Sequence, residues 1–158
     1  MFNAVASAKP EVEIQHEGAI FTDAYGKLPA QNVERARAFY AEKLGLSPYR
    51  ENAAHLYYQV GGTTFIVFPS AGAPSGTHDQ LGLIVNDVEA TVARLQSRGV
   101  TFEMYPAPPG AAMKNGIMNR GSMKAAWFKD TEGNLISIAE FAQGSPFGHE
   151  RVNNEESK

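Results

Sequence analysis

Residues 32–46, NVERARAFYAEKLGL, and residues 87–100, DVEATVARLQSRGV, read as two versions of one amphipathic helix. Each opens on a side chain able to accept from a free amide of the first turn, Asn32 or Asp87. Val and then Glu follow in both, and the helix dipole favours an anion in that first turn. Val33, Ala36, Tyr40 and Leu44 recur at helical spacing with Phe39 widening the stripe, and Val88, Val92 and Leu95 form the matching face. Gly45 and Gly99 supply the stops. The spacing predicts helices over about 33–44 and from Asp87 to Gly99. At an offset of 55 residues Asn32 falls on Asp87, Val33-Glu34 on Val88-Glu89 and Ala38 on Ala93, with one residue missing before the second glycine.

The repeat extends to both sides of the helices. A short strand candidate precedes each one, AYGKLP at about 24–29 and QLGLIV at 80–85. Three β-type runs follow each: SPYRE, HLYYQV and TTFIVF in the first half, with Gly61-Gly62 as a hairpin turn, and TFEMY, KAAWFK and NLISIAEF in the second, with DTEGN as the turn. The chain therefore reads βαβββ-βαβββ. Two copies are too few for a solenoid. They pair more naturally as halves of one α+β domain, each sheet covered by its helix on the outer face while the inner faces enclose a cleft. The domain is placed at 20–142, with module one at about 24–69 and module two at about 80–141, between an N-terminal extension (1–19) and a polar tail (143–158).

Composition bounds the function. A chain of 158 residues, 43% hydrophobic and 20% charged, has the make-up of a single globular domain and excludes disordered or collagen-like readings. With 14 Lys+Arg against 17 Asp+Glu, the net charge of −3 offers no footprint for nucleic acid. The absence of cysteine excludes disulfides, thiolate metal sites and cysteine nucleophiles. Lys9, Glu11 and Glu13 interrupt the N-terminus before a signal-peptide core can form, and no run approaches a membrane span, so a soluble cytoplasmic protein without a membrane partner is expected.

Three stretches together resemble a known family: LPAQNVERARAFYAEKLGL (28–46), VNDVEATVARLQSRGV (85–100) and WFKDTEGNLISI (127–138), the last similar to a phenylalanine-x-aspartate-x-x-glycine-asparagine hairpin. In this order and with the internal repeat, they resemble the vicinal oxygen chelate superfamily of glyoxalase, bleomycin-resistance and extradiol-dioxygenase proteins. The resemblance implies paired βαβββ modules forming a curled mixed sheet around a ligand cavity, commonly in a homodimer. It also implies four strand positions from which catalytic branches hold a divalent cation. Counted on this chain they fall on Tyr25, about Ile66, Gln80 and Ser137, of which Gln80 alone is a plausible weak ligand. Strand alternation turns Glu140 away from Ser137, and His78 before Gln80 reads as a loop histidine. His16, His55 and His149 stand singly. The expectation is no metal, no cofactor and no assigned catalytic residue. Asp130 and Glu132 read as turn formers and GAPSG (72–76) as a surface turn.

If Tyr25 and Gln80 face inward, alternation brings Lys27, Gly82, Ile84, Leu135, Ser137 and Ala139 to the cavity. Tyr57, Phe65, Tyr105 and Trp127 are cavity or core aromatics. The segment 105–122, YPAPPGAAMKNGIMNRGS, shows no strong helix or strand pattern and reads as a lid bringing Met113 and Met118 to a ligand, or as a long hairpin connection or dimer contact. Such a cavity suits a small organic molecule, aromatic or antibiotic-like, bound without metal. An enzyme of lyase, isomerase or cyclase type with an atypical or absent metal is the alternative, and an interaction protein with a filled cavity is the third.

Overall fold

The computed structural model describes residues 20 and 23–147. The N-terminal extension, His16, His149 and the tail beyond residue 147 lie outside the described residues. Strand β1 (Gly26–Ala30), helix α1 (Val33–Glu42) and strands β2 (Arg50–Glu51), β3 (Leu56–Val60) and β4 (Thr63–Pro69) build the first module. Strand β5 (Asp79–Ile84), helix α2 (Val88–Ser97) and strands β6 (Ala112–Lys114), β7 (Ile117–Arg120), β8 (Met123–Lys129) and β9 (Leu135–Phe141) build the second. The first sheet has the order β1-β4-β3-β2 and the second β5-β9-β8-β7-β6, each with its opening strand parallel to its last. Among the described residues, no helix is long and apolar enough to cross a membrane.

The 55-residue repeat holds down to single hydrogen bonds. Asn32 accepts from the Arg35 amide at 2.9 Å and Asp87 from the Ala90 amide at 2.8 Å. At the other ends, Leu46 N donates to Tyr40 O at 2.9 Å and Val100 N donates to Leu95 O at 3.0 Å. Tyr40 and Leu95 are equivalent, so the missing residue shortens the closing turn from six residues to five without altering the helix. Helix α1 ends two residues before the expected Leu44 because its last turn is taken up by this closure.

The post-helix strands are shorter than the runs that suggest them. Pro48 has no amide to donate, and SPYRE contributes only Arg50–Glu51. TFEMY contributes an isolated bridge, Phe102 to Phe128. Prolines 106, 108 and 109 follow it, and further along the same edge of β8 is occupied by β7. That occupant corrects the lid reading of 105–122: strands β6 and β7 pair as a hairpin, Met113 opposite Met118, and extend the second sheet. Its turn is Asn115-Gly116, with φ of 52° and 77°, the left-handed pair a two-residue hairpin requires.

One face of each sheet packs on a helix, and these faces merge into a single core. Leu56, Tyr58, Phe65 and Val67 from the first sheet share it with Ala126, Phe128, Ile136 and Ile138 from the second. Tyr40 of α1 lies 5.2 Å from the Tyr58 ring, and Phe39 lies 6.4 Å from Phe128. Between the modules runs a buried polar network. Asp130 accepts from the Tyr40 hydroxyl at 2.9 Å, the Asn134 side chain at 2.8 Å and the amides of Glu132 and Asn134, both at 2.9 Å. Asn134 also donates to Pro29 O at 2.9 Å. Glu132 accepts from Asn32 N at 2.9 Å and from Arg35 Nε at 2.8 Å. Asp130 and Glu132 are thus turn formers, as their positions suggest, and also the clamp between modules.

Burial pushes the Asp130 carboxyl above its usual range against these hydrogen bonds. Burial also works to raise Glu132, but the Arg35 and Asn32 hydrogen bonds, Thr131 and the Arg35 charge hold it down to about 2. The stability Glu132 contributes is therefore full above its ordinary 4.5 and lost as pH falls toward 2. The difference in unfolding free energy between the wild type and Glu132→Gln should shrink across that window, and a pH-independent difference would contradict the assignment. Tyr40→Phe should lower unfolding free energy by about 1–2 kcal/mol in urea denaturation, by loss of one hydrogen bond to a buried carboxylate. No measurable change would mean that the clamp is not engaged.

Candidate functional site

The face of each sheet turned away from its helix carries the alternate residues. Strand register lines up Lys27, Ile66, Tyr57 and Arg50 as one row across β1, β4, β3 and β2. It lines up Gly82, Ser137 and Trp127 as the matching row across β5, β9 and β8. Lys27 and Gly82 are themselves 55 positions apart, so the rows correspond. Most of the sequence candidates fall on these helix-free faces. Lys27 stands over the Phe68 ring at 4.5 Å and Arg50 over Tyr57 at 5.4 Å. Trp127 is half-buried and meets Tyr105 edge to face at 5.8 Å. Met113 and Met118 continue this face at the edge of the second sheet, in register with Ala125. Tyr25, just before β1, is 59% exposed.

Phe65 is the exception. It is 1% exposed on the helix side, stacked on Tyr58 at 5.1 Å, because Gly26, Phe65 and Tyr58 share the core-facing register. Arg50 and Phe68 are the members of the site that the sequence reading passes over. Phe68 stands two residues from Ile66, so alternation alone points to it.

The four positions implied for a metal can be tested as a donor set. Ile66 is hydrocarbon and 4% exposed, Ser137 offers a hydroxyl, and Tyr25 a phenol. Gln80 sits at a bulge, where the β5–β9 register slips between Asp79 and Leu81, and its amide oxygen is buried without a partner among the described residues. One amide oxygen with no carboxylate or imidazole is not a divalent-cation site. The donors do not fit a metal.

His78 is exposed with Nδ1 3.2 Å from Ser75 Oγ, and His55 pairs with Asn52 at 3.3 Å. Asp87, Glu89 and Glu140 bring carboxylate oxygens within 4.8 Å of one another. Each is engaged otherwise: Asp87 caps α2, Glu140 accepts from Val88 N at 2.9 Å, and Glu89 pairs with Lys124 at 2.8 Å. Glu140 thus lies on the helix side, opposite Ser137, as alternation requires.

Burial, with Glu103 and Asp79 nearby, pushes the Tyr105 phenol up, so it stays a neutral donor at physiological pH. An apolar pocket of about 420 Å³ runs along β5 between Val60-Gly61 and the segment carrying Phe141 and Phe147, and shares Gly82 and Ile84 with the helix-free face of the second sheet. Of the sequence candidates Phe65, Gly82 and Ile84 line it.

The two faces of β8 should separate in stability. Phe128→Ala, in the core, should cost about 3–5 kcal/mol. Trp127→Ala, on the helix-free face, should cost well under half of that, and equal losses in denaturant unfolding would place Trp127 in the core.

The fold agrees with that of several solved structures. The genomically encoded fosfomycin resistance protein FosX from Listeria monocytogenes superposes with a TM-score of 0.60 at 12% identity, covering 81% of this chain and 97% of its own. A glyoxalase family protein from Bacillus anthracis gives 0.58 at 15% identity, with coverage of 77% and 97%. A lactoylglutathione lyase from Agrobacterium tumefaciens gives 0.55 at 16% identity, with coverage of 75% and 92%. At these identities the likeness is one of fold. No curated protein sequence matches significantly. The model of the Glyoxalase/Bleomycin resistance protein/Dioxygenase superfamily matches residues 21–138. With its paired modules and that match across most of its length, the chain belongs to this superfamily.

Proposed function

We propose that the chain is a small-molecule binding protein of the sequestering type, working without a metal. The reading rests on one observation above all: the rows through Ile66 and Ser137 keep an aromatic and methionine-lined face while offering no set of metal donors. Trp127 and Tyr105 supply rigid planes, Met113 and Met118 an adaptable edge, and the Ser137 and Tyr105 hydroxyls polar contacts for an organic ligand. The fosfomycin resistance protein among the similar folds is in keeping with a resistance role.

A homodimer completes this reading. In the single chain, Tyr25, Ile84 and Tyr105 are 59%, 42% and 39% exposed on or beside the helix-free faces, and β1 and β5 each end a sheet with an edge that no strand among the described residues pairs. Exposed apolar faces beside free strand edges favour association. A second copy laid against them turns two open faces into the walls of a cavity.

Three measurements bear on this. Elemental analysis of purified protein should find no stoichiometric Zn, Ni, Fe or Mn. One tightly bound ion per chain, lost on Gln80→Ala or His78→Ala, would overturn metal independence. Light scattering should give two chains per particle, and a monomer at micromolar concentration would remove the closing wall. In a thermal-shift panel of aromatic and peptide antibiotics, a true ligand at 100 times its Kd should add about 2.7 kcal/mol of stability. Silence across the panel would favour an interaction role, and conversion of a shifting compound into product would make the protein an enzyme.

A further inference from the structure

The helix-free face of the first sheet carries two cations and no carboxylate among its strand residues. Arg35, Arg37, Lys124 and Lys129 each stand within reach of a carboxylate. Lys27 and Arg50, at the two ends of the Lys27–Ile66–Tyr57–Arg50 row, have no ion pair among the described residues. No carboxylate shares their face of the four strands, since Glu51 points the other way and pairs with Arg37. Both cations lie over aromatic rings of that face, Phe68 and Tyr57, which hold the long side chains along the sheet. Between them lie Ile66, 4% exposed, and the ring of Tyr57. Three strand spacings of about 4.8 Å separate the two Cα atoms by roughly 14 Å, the span of a small two-ring molecule with side chains reaching inward.

We infer that this row selects an organic anion, with its charged oxygen group on the Lys27 ammonium and its apolar body lying along Ile66 and Tyr57 toward Arg50. The inference rests on the proposed binding role and names the ligand class within it. A carboxylate, phosphonate or sulfonate meets the same chemistry here. An ammonium flanked by hydrocarbon and ring faces gains more from an oxyanion than an ammonium in open water does. Lys27 is the contact because its floor, Ile66, is buried, whereas Arg50 stands on a two-residue edge strand and acts at longer range.

Two fluorescent probes with one ring system separate charge from shape: 1-anilinonaphthalene-8-sulfonate and the neutral N-phenyl-1-naphthylamine. The wild type should bind the sulfonate at least about tenfold more tightly, the scale of one charge-assisted hydrogen bond. Lys27→Gln should bring the sulfonate to the affinity of the neutral probe and leave the neutral probe unchanged. Lys27→Arg should restore most of the preference, and Arg50→Gln should reduce it by a smaller factor. Added chloride should weaken the sulfonate alone. Lys114→Gln, on the opposite face of the second sheet's edge, should change nothing. Equal affinities in the wild type, a preference that survives Lys27→Gln, or an equal loss in Lys114→Gln would overturn the inference while leaving the binding role in place. Failure of both probes to bind would overturn the two together.

Discussion

The Asp130 carboxylate is the point on which the two modules hang. A charged group in a core costs several kcal/mol unless each lone pair is engaged. Asp130 meets that demand with four donors: two backbone amides and a side-chain amide of its own turn, and the Tyr40 hydroxyl from the other module. The turn and the module packing are therefore one hydrogen-bonded unit. Glu132, two residues on, adds its carboxylate to the N-terminus of α1, where Asn32 N and Arg35 receive it, so a single five-residue turn reads the position of the other helix at both ends. With the helix sides clamped together, the opposite faces of both sheets are left as the surface available for function.

Much of this was legible in the sequence because it is written in local codes. The caps Asn32 and Asp87 and the stops Gly45 and Gly99 each reflect one backbone requirement, and the structure meets each in both modules, the second stop one residue earlier. What escaped depended on partners far along the chain. Asp130 looks like any turn aspartate until Tyr40, 90 residues away, is placed beside it. Phe65 is one residue from Ile66, so alternation already turns it away from the cavity row, and α1 packing on that side makes it core. The hairpin 112–120 is different: Asn115-Gly116 is a local signal, hidden by the glycines and prolines around it.

The site was legible in its composition more than in its arrangement. Counting from the caps and the hairpin turns finds Tyr25, Ile66, Gln80 and Ser137, and the chemistry of these residue types by itself argues against a metal. Register adds what counting cannot: that Ile66 and Ser137 lie mid-row between groups suited to an organic ligand, cations and a buried floor on one sheet and an edge-to-face aromatic pair on the other. The division of labour follows from the repeat, since the equivalent positions Lys27 and Gly82 have diverged into a charge and a gap beside the Ser137 hydroxyl. In the proposed binding role, the energy comes from ring planes and one ionic contact.

Trp127 is the chain's only tryptophan and stands on the face in question, so its emission reports ligand occupancy directly. The measurement is a titration with N-phenyl-1-naphthylamine, followed by energy transfer from Trp127, with a strong chelator present throughout. The account predicts saturable quenching of Trp127 that is unchanged when divalent metal replaces the chelator. Quenching that appears only with metal would contradict it, and so would probe binding that leaves Trp127 emission untouched.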